Sequence, residues 1–219
     1  MKPLIVLLTL LCLTLTAIPV MAGNVYDNGP VNGQVDAWTI NFGFAVSDSF
    51  TVSNGNGNIG GMSFWAWLIP GDSITSVEIQ IGNSDFGNNL MDMQVGLSQS
   101  GCFVNNFGYN VCVESGTFNG PSLANGNYWV TLQNAMVPSG DPVYWDENSG
   151  AGCQSPGCPS QAFDNGLGSI PSDSFTLTGQ GTTTSTGTTP EPGSILLFGG
   201  GVVGAAGMLR RKLFRSRQV

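Results

Sequence analysis

Acidic and amide side chains are the first candidates for chemistry in this sequence. The segment GDPVYWDENSG contains four oxygen donors, which are Asp141, Asp146, Glu147 and Asn148. Carboxylate and amide oxygens at flexible spacing are typical calcium ligands, although the ordered D-x-D-x-D-G spacing of an EF-hand loop is absent. The sequence favours a disulfide-stapled loop of solvated turn residues here, and a calcium site at these four residues is the functional alternative.

Paired carboxylates are also the catalytic groups of glycosidases, so the same residues need a second test. Asp146 and Glu147 are adjacent, and neighbours on a strand point to opposite faces, so these two do not form such a pair. A pair from different strands, such as Glu78 and Glu114, stays open, but nothing in the sequence selects it. We predict a non-catalytic protein, with a carboxylate-based glycosidase as the alternative.

The charge distribution excludes several other functions. Fourteen acidic residues occur in the chain and one of them, Glu191, lies near its end, which leaves thirteen between residues 23 and 189. That interval contains no Lys, Arg or His. Nucleic acid is excluded as a partner because its binding depends on cationic side chains, and catalysis by histidine is excluded as well. The acids must be solvated, hydrogen-bonded to backbone amides or bound to a metal ion.

The cysteine count indicates disulfides rather than a metal site. Cys12 lies in the N-terminal apolar segment, and four cysteines remain beyond it. An even number in an exported chain predicts two disulfides, for which three pairings exist. We predict Cys102–Cys112 and Cys153–Cys158, because each pair encloses a short loop with Gly or Pro. A cysteine metal site is disfavoured because neither interval has CxxC-like spacing.

Alternating apolar residues predict the elements that must position these groups. The alternation is seen at Trp38–Val46 continuing to Phe50 and Val52, which predicts one long strand or two strands joined at a turn. It recurs at Val77–Ile81, at Met91–Leu97, at Tyr128–Leu132 and at Phe175–Leu177. Gly, Asn and Pro turn signals separate these runs, and no helical period of ten or more residues occurs between the termini. The pattern predicts an all-β, antiparallel two-sheet sandwich of jelly-roll type over residues 23–178. A β-helix is the alternative, but the sequence shows no fixed-length repeat.

Aromatic residues are concentrated in the segment FWAWLI, from Phe64 to Ile69. Apolar groups on both faces of a strand are expected for a central strand that is buried on both sides. The functional alternative is a face on which rings stack against sugars, and it applies equally to Tyr128-Trp129 and Tyr144-Trp145.

The two ends of the chain predict export. Residues 1–22 have the early lysine, apolar run and Val-Met-Ala exit of a signal peptide. Residues 179–189 are a Thr/Gly/Ser-rich linker, and the uncharged residues 194–209 are long enough for a short transmembrane helix. Five cations follow and are expected to hold the end of the chain on the cytoplasmic side: Arg210, Arg211, Lys212, Arg215 and Arg217.

The tripeptide Pro190, Glu191, Pro192 directly precedes this apolar segment. Together with the basic cluster, residues 190–217 resemble the PEP-CTERM sorting signal of Gram-negative bacteria. The resemblance implies that an exosortase recognises the tripeptide, after Sec export and an inner-membrane intermediate, and delivers the chain to the cell surface or the medium. The β-rich body, through VYWDENSG and GCPS, resembles a group of PEP-CTERM proteins from which no activity carries over.

These observations lead to one functional expectation and one alternative. We expect an exported surface or matrix protein that associates with extracellular polysaccharide and performs no catalysis. The alternative is a calcium-dependent carbohydrate-binding module or a glycoside-cleaving enzyme on a jelly-roll scaffold.

Overall fold

The structure is a computed structural model that describes residues 23–53, 55, 57–148 and 160–180. Thirteen strands occur in this part of the chain: β1 (Asn24–Asp27), β2 (Ala37–Thr39), β3 (Ala45–Val52), β4 (Ile59–Leu68), β5 (Ser76–Gly82), β6 (Met91–Gly96), β7 (Ser98–Val104), β8 (Asn110–Thr117), β9 (Gly126–Met136), β10 (Tyr144–Asp146), β11 (Ala162–Asp164), β12 (Gly168–Ile170) and β13 (Phe175–Gly179). The described residues contain no helix.

The strands form two antiparallel sheets, which confirms the predicted sandwich. The six-stranded sheet has the order β12-β11-β3-β9-β5-β6. In the seven-stranded sheet β4 is central, because β8 and then β7 extend one edge while β13 and β10 share the other. β1 pairs with β13 and β2 pairs with β10 on that shared side.

The core lies between the sheets and is built from alternate residues of each strand. Ile79 and Ile81 of β5, with Val130 and Leu132 of β9, are fully buried on the inner face of the six-stranded sheet. Trp145 of β10 is also fully buried among core residues of the other sheet. The predicted strands at residues 77–81, 91–97, 128–132 and 175–177 are therefore confirmed, and their apolar phase faces the core.

The long alternation from Trp38 to Val52 proves to be two strands that belong to different sheets. Phe42 and Gly43 have φ angles of 57° and 88°, so the chain turns there between β2 and β3. Phe42 and Phe44 are consequently 64% and 45% exposed rather than buried with the rest of the pattern. Periodicity continues across the turn because β3 resumes in the same phase, with Val46 facing inward.

The central strand β4 is covered on both faces, as the segment FWAWLI predicts. Phe64, Ala66 and Leu68 face the core, while Trp65 and Trp67 lie on the outer face of the seven-stranded sheet. Phe103 and Phe107, from the β7–β8 hairpin, contact these two indole rings. The outer face therefore carries a second, smaller aromatic cluster.

The predicted terminal segments cannot be compared with this fold. The signal peptide at 1–22, the span at 194–209 and most of the linker at 179–189 lie outside the described residues. Within the described ranges, no helix has the length and apolar character needed to cross a membrane.

Candidate functional site

A cleft of about 270 Å³ opens on the outer face of the seven-stranded sheet. It is lined by Val35, Asp36, Ala37, Trp67, Phe107, Tyr109 and Tyr144. Three parts of the chain meet here: the segment that leads into β2, the paired strands β4 and β10, and the loop between β7 and β8. We call this feature the aromatic cleft.

The floor of the aromatic cleft is set by the register of β4 and β10. Tyr144 is paired with Trp67, so both side chains project from the same outer face of the sheet. Trp145, the next residue on β10, points the opposite way and packs in the core against Phe64 and Phe175. One strand therefore supplies a core ring and a cleft ring in successive positions.

The β7–β8 hairpin supplies the wall of the cleft. Cys102 and Cys112 form a disulfide that joins its two strands, as the spacing predicts. At its tip the side chain of Asn105 accepts hydrogen bonds from the amides of Phe107 (3.0 Å) and Tyr109 (2.9 Å). These bonds, with Gly108 at φ 84°, fix the loop in one conformation.

The rings of the wall and the floor touch one another. Phe107 stacks on Trp67 with the ring centroids 5.6 Å apart, and Tyr109 meets Tyr144 edge-on at the same distance. Trp67 is 6% exposed, whereas Phe107 is 60% exposed. The surface open to a ligand is therefore made mainly by Phe107, Tyr109 and Tyr144, with Trp67 as their support.

The carboxylate of Asp146 holds the Trp67 ring of the floor in place. Its Oδ1 accepts hydrogen bonds from the Trp67 indole N–H (2.6 Å) and the Gly33 amide (2.8 Å). Its Oδ2 accepts from the Asn32 amide (2.9 Å) and the Ser174 hydroxyl (3.2 Å). Burial raises the pKa of Asp146, and these four donors lower it in part. Asp146 is thus a positioning residue for the indole ring and for the segment that leads into β2.

The four residues of the predicted calcium site occupy different surroundings. Glu147 follows Asp146 and is buried; burial and the negative charge of Asp36 raise its pKa. The side-chain amide of Asn148 donates to the carbonyl oxygens of Asn28 and Asp173. Asp141 is half-buried in the loop before β10.

No group of three or more His, Cys, Asp or Glu side chains in the described part of the chain is placed to hold one metal ion. Calcium also binds amide and backbone oxygens, which such a group does not include. The calcium site at these four residues therefore stays a prediction.

Several other predicted residues can now be placed. Trp145 is interior and Trp65 and Trp67 are on the outer face, while Trp129 packs against Phe163 on the six-stranded sheet. Glu78 and Glu114 lie in different sheets, each held by its own amide partners. Cys153 and Cys158, the tripeptide 190–192 and the basic cluster 210–217 lie outside the described residues.

The sequence did not single out Phe107, Tyr109 or Asn105. The signal available was the loop sequence NNFGYN, in which asparagines flank two aromatic residues that are separated by a glycine. Rings in a turn are uncommon unless something contacts them, so that segment was the place to look.

The fold is an antiparallel β-sandwich with an aromatic cleft on the outer face of one sheet. Residues 188–212 match the family model of the PEP-CTERM protein-sorting motif. The chain therefore carries the PEP-CTERM signal that the sequence predicts, and this signal supports an exported, exosortase-sorted protein directed to the cell surface. Comparisons with curated proteins and with solved structures found no match.

Proposed function

We propose that this protein is a non-catalytic surface or matrix protein that binds extracellular polysaccharide in the aromatic cleft. The observation that carries the proposal is the exposed Phe107 ring, held by Trp67 beside two tyrosines. Sugar rings present apolar faces of C–H groups to aromatic rings, and their hydroxyls bond to polar groups at the ring edges. The Tyr109 and Tyr144 hydroxyls and the carboxylate of Asp36 are the polar groups of this cleft.

Rigidity favours binding in this cleft. The Trp67 ring is fixed by Asp146, and the hairpin tip is fixed by Asn105 and by the disulfide at its base. Side chains already held in place lose little conformational entropy when a ligand binds. A flexible polysaccharide then meets a preformed surface, which suits weak, repeated contacts along a chain.

The negative charge of the protein favours a ligand that is an uncharged polysaccharide or one that contains amino sugars. The interval 23–189 has thirteen acids and no cationic side chain, and Asp36 lies in the cleft itself. A polyanionic glycan is repelled by this surface unless divalent ions screen it. Neutral sugars carry no such cost, and a protonated amino group is attracted to Asp36.

Absence of catalysis is part of the proposal. A glycosidase requires two carboxyl groups on either side of the bond to be cleaved. Among the described residues that line the cleft, Asp36 is the one acid. We also propose that Sec export and a membrane-anchored intermediate precede exosortase processing, so that the β-sandwich reaches the polysaccharide outside the cell.

Affinity electrophoresis of the full chain in gels containing neutral polysaccharides tests the proposal. Wild type is expected to be retarded. Phe107→Ala should lower the apparent affinity for the polysaccharide about tenfold, because it removes the exposed ring. Phe42→Ala is the matched control, since Phe42 is 64% exposed and does not line the cleft. Equal retardation of both variants and wild type would refute the cleft as the binding surface, and release of reducing ends would refute the absence of catalysis.

A further inference from the structure

Two acidic side chains lie in the interior of the sandwich with oxygen atoms that nothing in the described structure satisfies. Asp48 and Asp173 are both 0% exposed. Oδ1 of Asp48 and both oxygens of Asp173 have no hydrogen-bond partner among the described residues. Buried polar atoms almost always have a partner, so three orphaned oxygens in one region call for a ligand.

Asp48 belongs to the inward-facing positions of β3. Val46 and Phe50 are two residues away on either side and are both core residues, so Asp48 projects between the sheets. Its Oδ2 accepts hydrogen bonds from the backbone amide of Asp173 (2.7 Å) and from the side chain of Asn28 (3.2 Å). Only Oδ1 is left without a donor.

Asp173 comes from the opposite sheet. It lies just before β13 and forms a β-bridge with Glu147, the residue that follows β10. Its backbone carbonyl accepts hydrogen bonds from the side chains of Asn28 (2.6 Å) and Asn148 (3.2 Å). The neighbouring amides are therefore engaged by the backbone of Asp173, while its carboxylate has no donor in the described residues.

Without a bound cation, the negative charges around Asp173 make the burial of its carboxylate unfavourable. The negative charges near Asp173 come from Asp48, Glu147, Asp146 and Asp164. No Lys, Arg or His lies between residues 3 and 209 to offset them. Burial raises the pKa of Asp48 to about 8, and burial with the charge of Asp48 raises the pKa of Asp173 well above its ordinary value. The pair must take up either protons or a cation.

We propose that Asp48 and Asp173 form an interior binding site for a divalent cation of the calcium type. Calcium binds six to eight oxygens and accepts carboxylates through one or both atoms, so the three orphaned oxygens suit it, with water and backbone carbonyls completing the shell. One cation engages all three oxygens at once and supplies the positive charge that the sequence lacks. A proton shared by the two carboxyl groups satisfies one orphaned oxygen on each of them and leaves the third oxygen without a donor.

This site differs from the predicted calcium set of residues 141, 146, 147 and 148, and it does not depend on glycan binding. The bound ion joins β3 of the six-stranded sheet to the residue before β13 of the seven-stranded sheet. It therefore acts as a cross-link between the two sheets. The expected consequence is a sandwich whose stability depends on external calcium.

The test is thermal unfolding of the full chain, first treated with EDTA and then titrated with calcium chloride at pH 7.5. The wild-type midpoint is expected to rise by about 5 °C and to saturate, because the ion binds only the folded state. Asp173→Asn and Asp48→Asn should each weaken the calcium response at least tenfold. Asp141→Asn, which removes a half-buried acid of the other candidate set, should retain the full response.

A second measurement needs no variant and covers the case in which either substitution prevents folding. In amide NMR spectra of wild type, calcium should shift the Asp173 amide, which donates to Asp48, and the Trp145 indole N–H, which donates to the carbonyl of Ser174. Saturable shifts centred there support the site. Shifts centred on Asp141, an equal calcium response in Asp141→Asn and Asp173→Asn, or no response in wild type would each overturn it.

Discussion

Two buried carboxylates of the sandwich, those of Asp146 and Asp173, differ in how many hydrogen-bond donors surround them. Asp146, under the aromatic cleft, has four N–H and O–H donors on its two oxygens. Asp173, between the sheets, has none among the described residues. Both are 0% exposed. The two carboxylates therefore differ in their hydrogen-bond donors and not in their exposure. The first carboxylate is a structural support, and the second is, on our proposal, a cation ligand.

Two of the four donors to Asp146, the amides of Asn32 and Gly33, come from a segment whose backbone passes close to the β7–β8 hairpin. Gly33 has a φ of 68°, and a Cβ atom there would lie 2.7 Å from the Phe103 ring. Glycine therefore allows the chain to bend under the hairpin and direct its amide at Asp146. Where the chain turns toward a buried carboxylate, backbone amides can thus stabilise it in place of the missing cationic side chains. Asp173 has no comparable turn aimed at its side chain in the described residues.

The largest expected effect comes from changing the well-satisfied carboxylate. Asp146→Asn replaces one acceptor oxygen with an NH₂ group that faces existing donors, so at least two buried hydrogen bonds are lost. We expect a loss of about 3 kcal/mol in the free energy of unfolding, measured by urea denaturation, together with weaker glycan binding.

Asp85→Asn is the control for this change, because Asp85 is exposed. It should alter the free energy of unfolding by less than about 0.5 kcal/mol. A loss below about 1 kcal/mol in Asp146→Asn would show that the four donors contribute little, and the contrast between the two carboxylates would fail.

The fold was predictable because it depends on local alternation, whereas the two acid sites depend on distant pairing. The strands at 77–81 and 128–132 follow directly from a period of two. The bond between the Gly33 amide and Asp146 joins residues 113 positions apart, and no local pattern encodes that distance. The aromatic cleft was likewise out of reach, because Phe107 meets Trp67 only through the register of β4 with β8.

One clue to the interior pair was present in the sequence. Asp48 occupies the inward phase between Val46 and Phe50, and an acid in that phase is the exception in a core strand. The turn in this stretch lies earlier, at Phe42 and Gly43, so Asp48 is part of β3. Asp173 gave no such clue because its strand begins two residues later, at Phe175.

The second expected effect is the pH dependence of the protein without calcium. Because the folded-state pKa of Asp48 is raised to about 8, the folded state binds a proton that the unfolded state releases near pH 4. Stability should therefore fall continuously as pH rises from about 4 to 8. Thermal unfolding in EDTA across this range measures the fall. The titratable groups that face Asp48 and Asp173 are Tyr26, Asp146, Glu147 and Asp164.

Calcium turns this profile into a test of the contrast. A bound cation stabilises the ionised forms, so saturating calcium chloride should flatten the decline between pH 5 and 8. The Asp173→Asn variant should show a weaker decline and no effect of calcium. An identical decline with and without calcium in wild type would mean that the interior pair is neutralised by protons alone.

The smallest expected effect concerns Glu114. Its number of hydrogen-bond donors is intermediate between those of Asp146 and Asp173. Its Oε1 accepts a hydrogen bond from Gln99 (3.0 Å), while its buried Oε2 has no partner among the described residues. Burial raises its pKa to about 7, so wild type loses stability as pH rises from about 4.3 through 7. Glu114→Gln removes that ionisation and should raise the unfolding midpoint by about 1 to 2 °C at pH 8, with no gain at pH 5.

Glu78→Gln should change the unfolding midpoint in the opposite direction in the same assay. It adds an acid with several hydrogen-bond donors to the comparison with acids that have few. Amides of Gln80, Gln133 and Asn134 donate to Glu78 and lower its pKa. A depressed pKa stabilises the fold above the ordinary value near 4.3, so the variant should lose stability at pH 8 and lose less at pH 4. Equal shifts for both variants at both pH values would mean that the number of donors does not govern how this protein holds its acids.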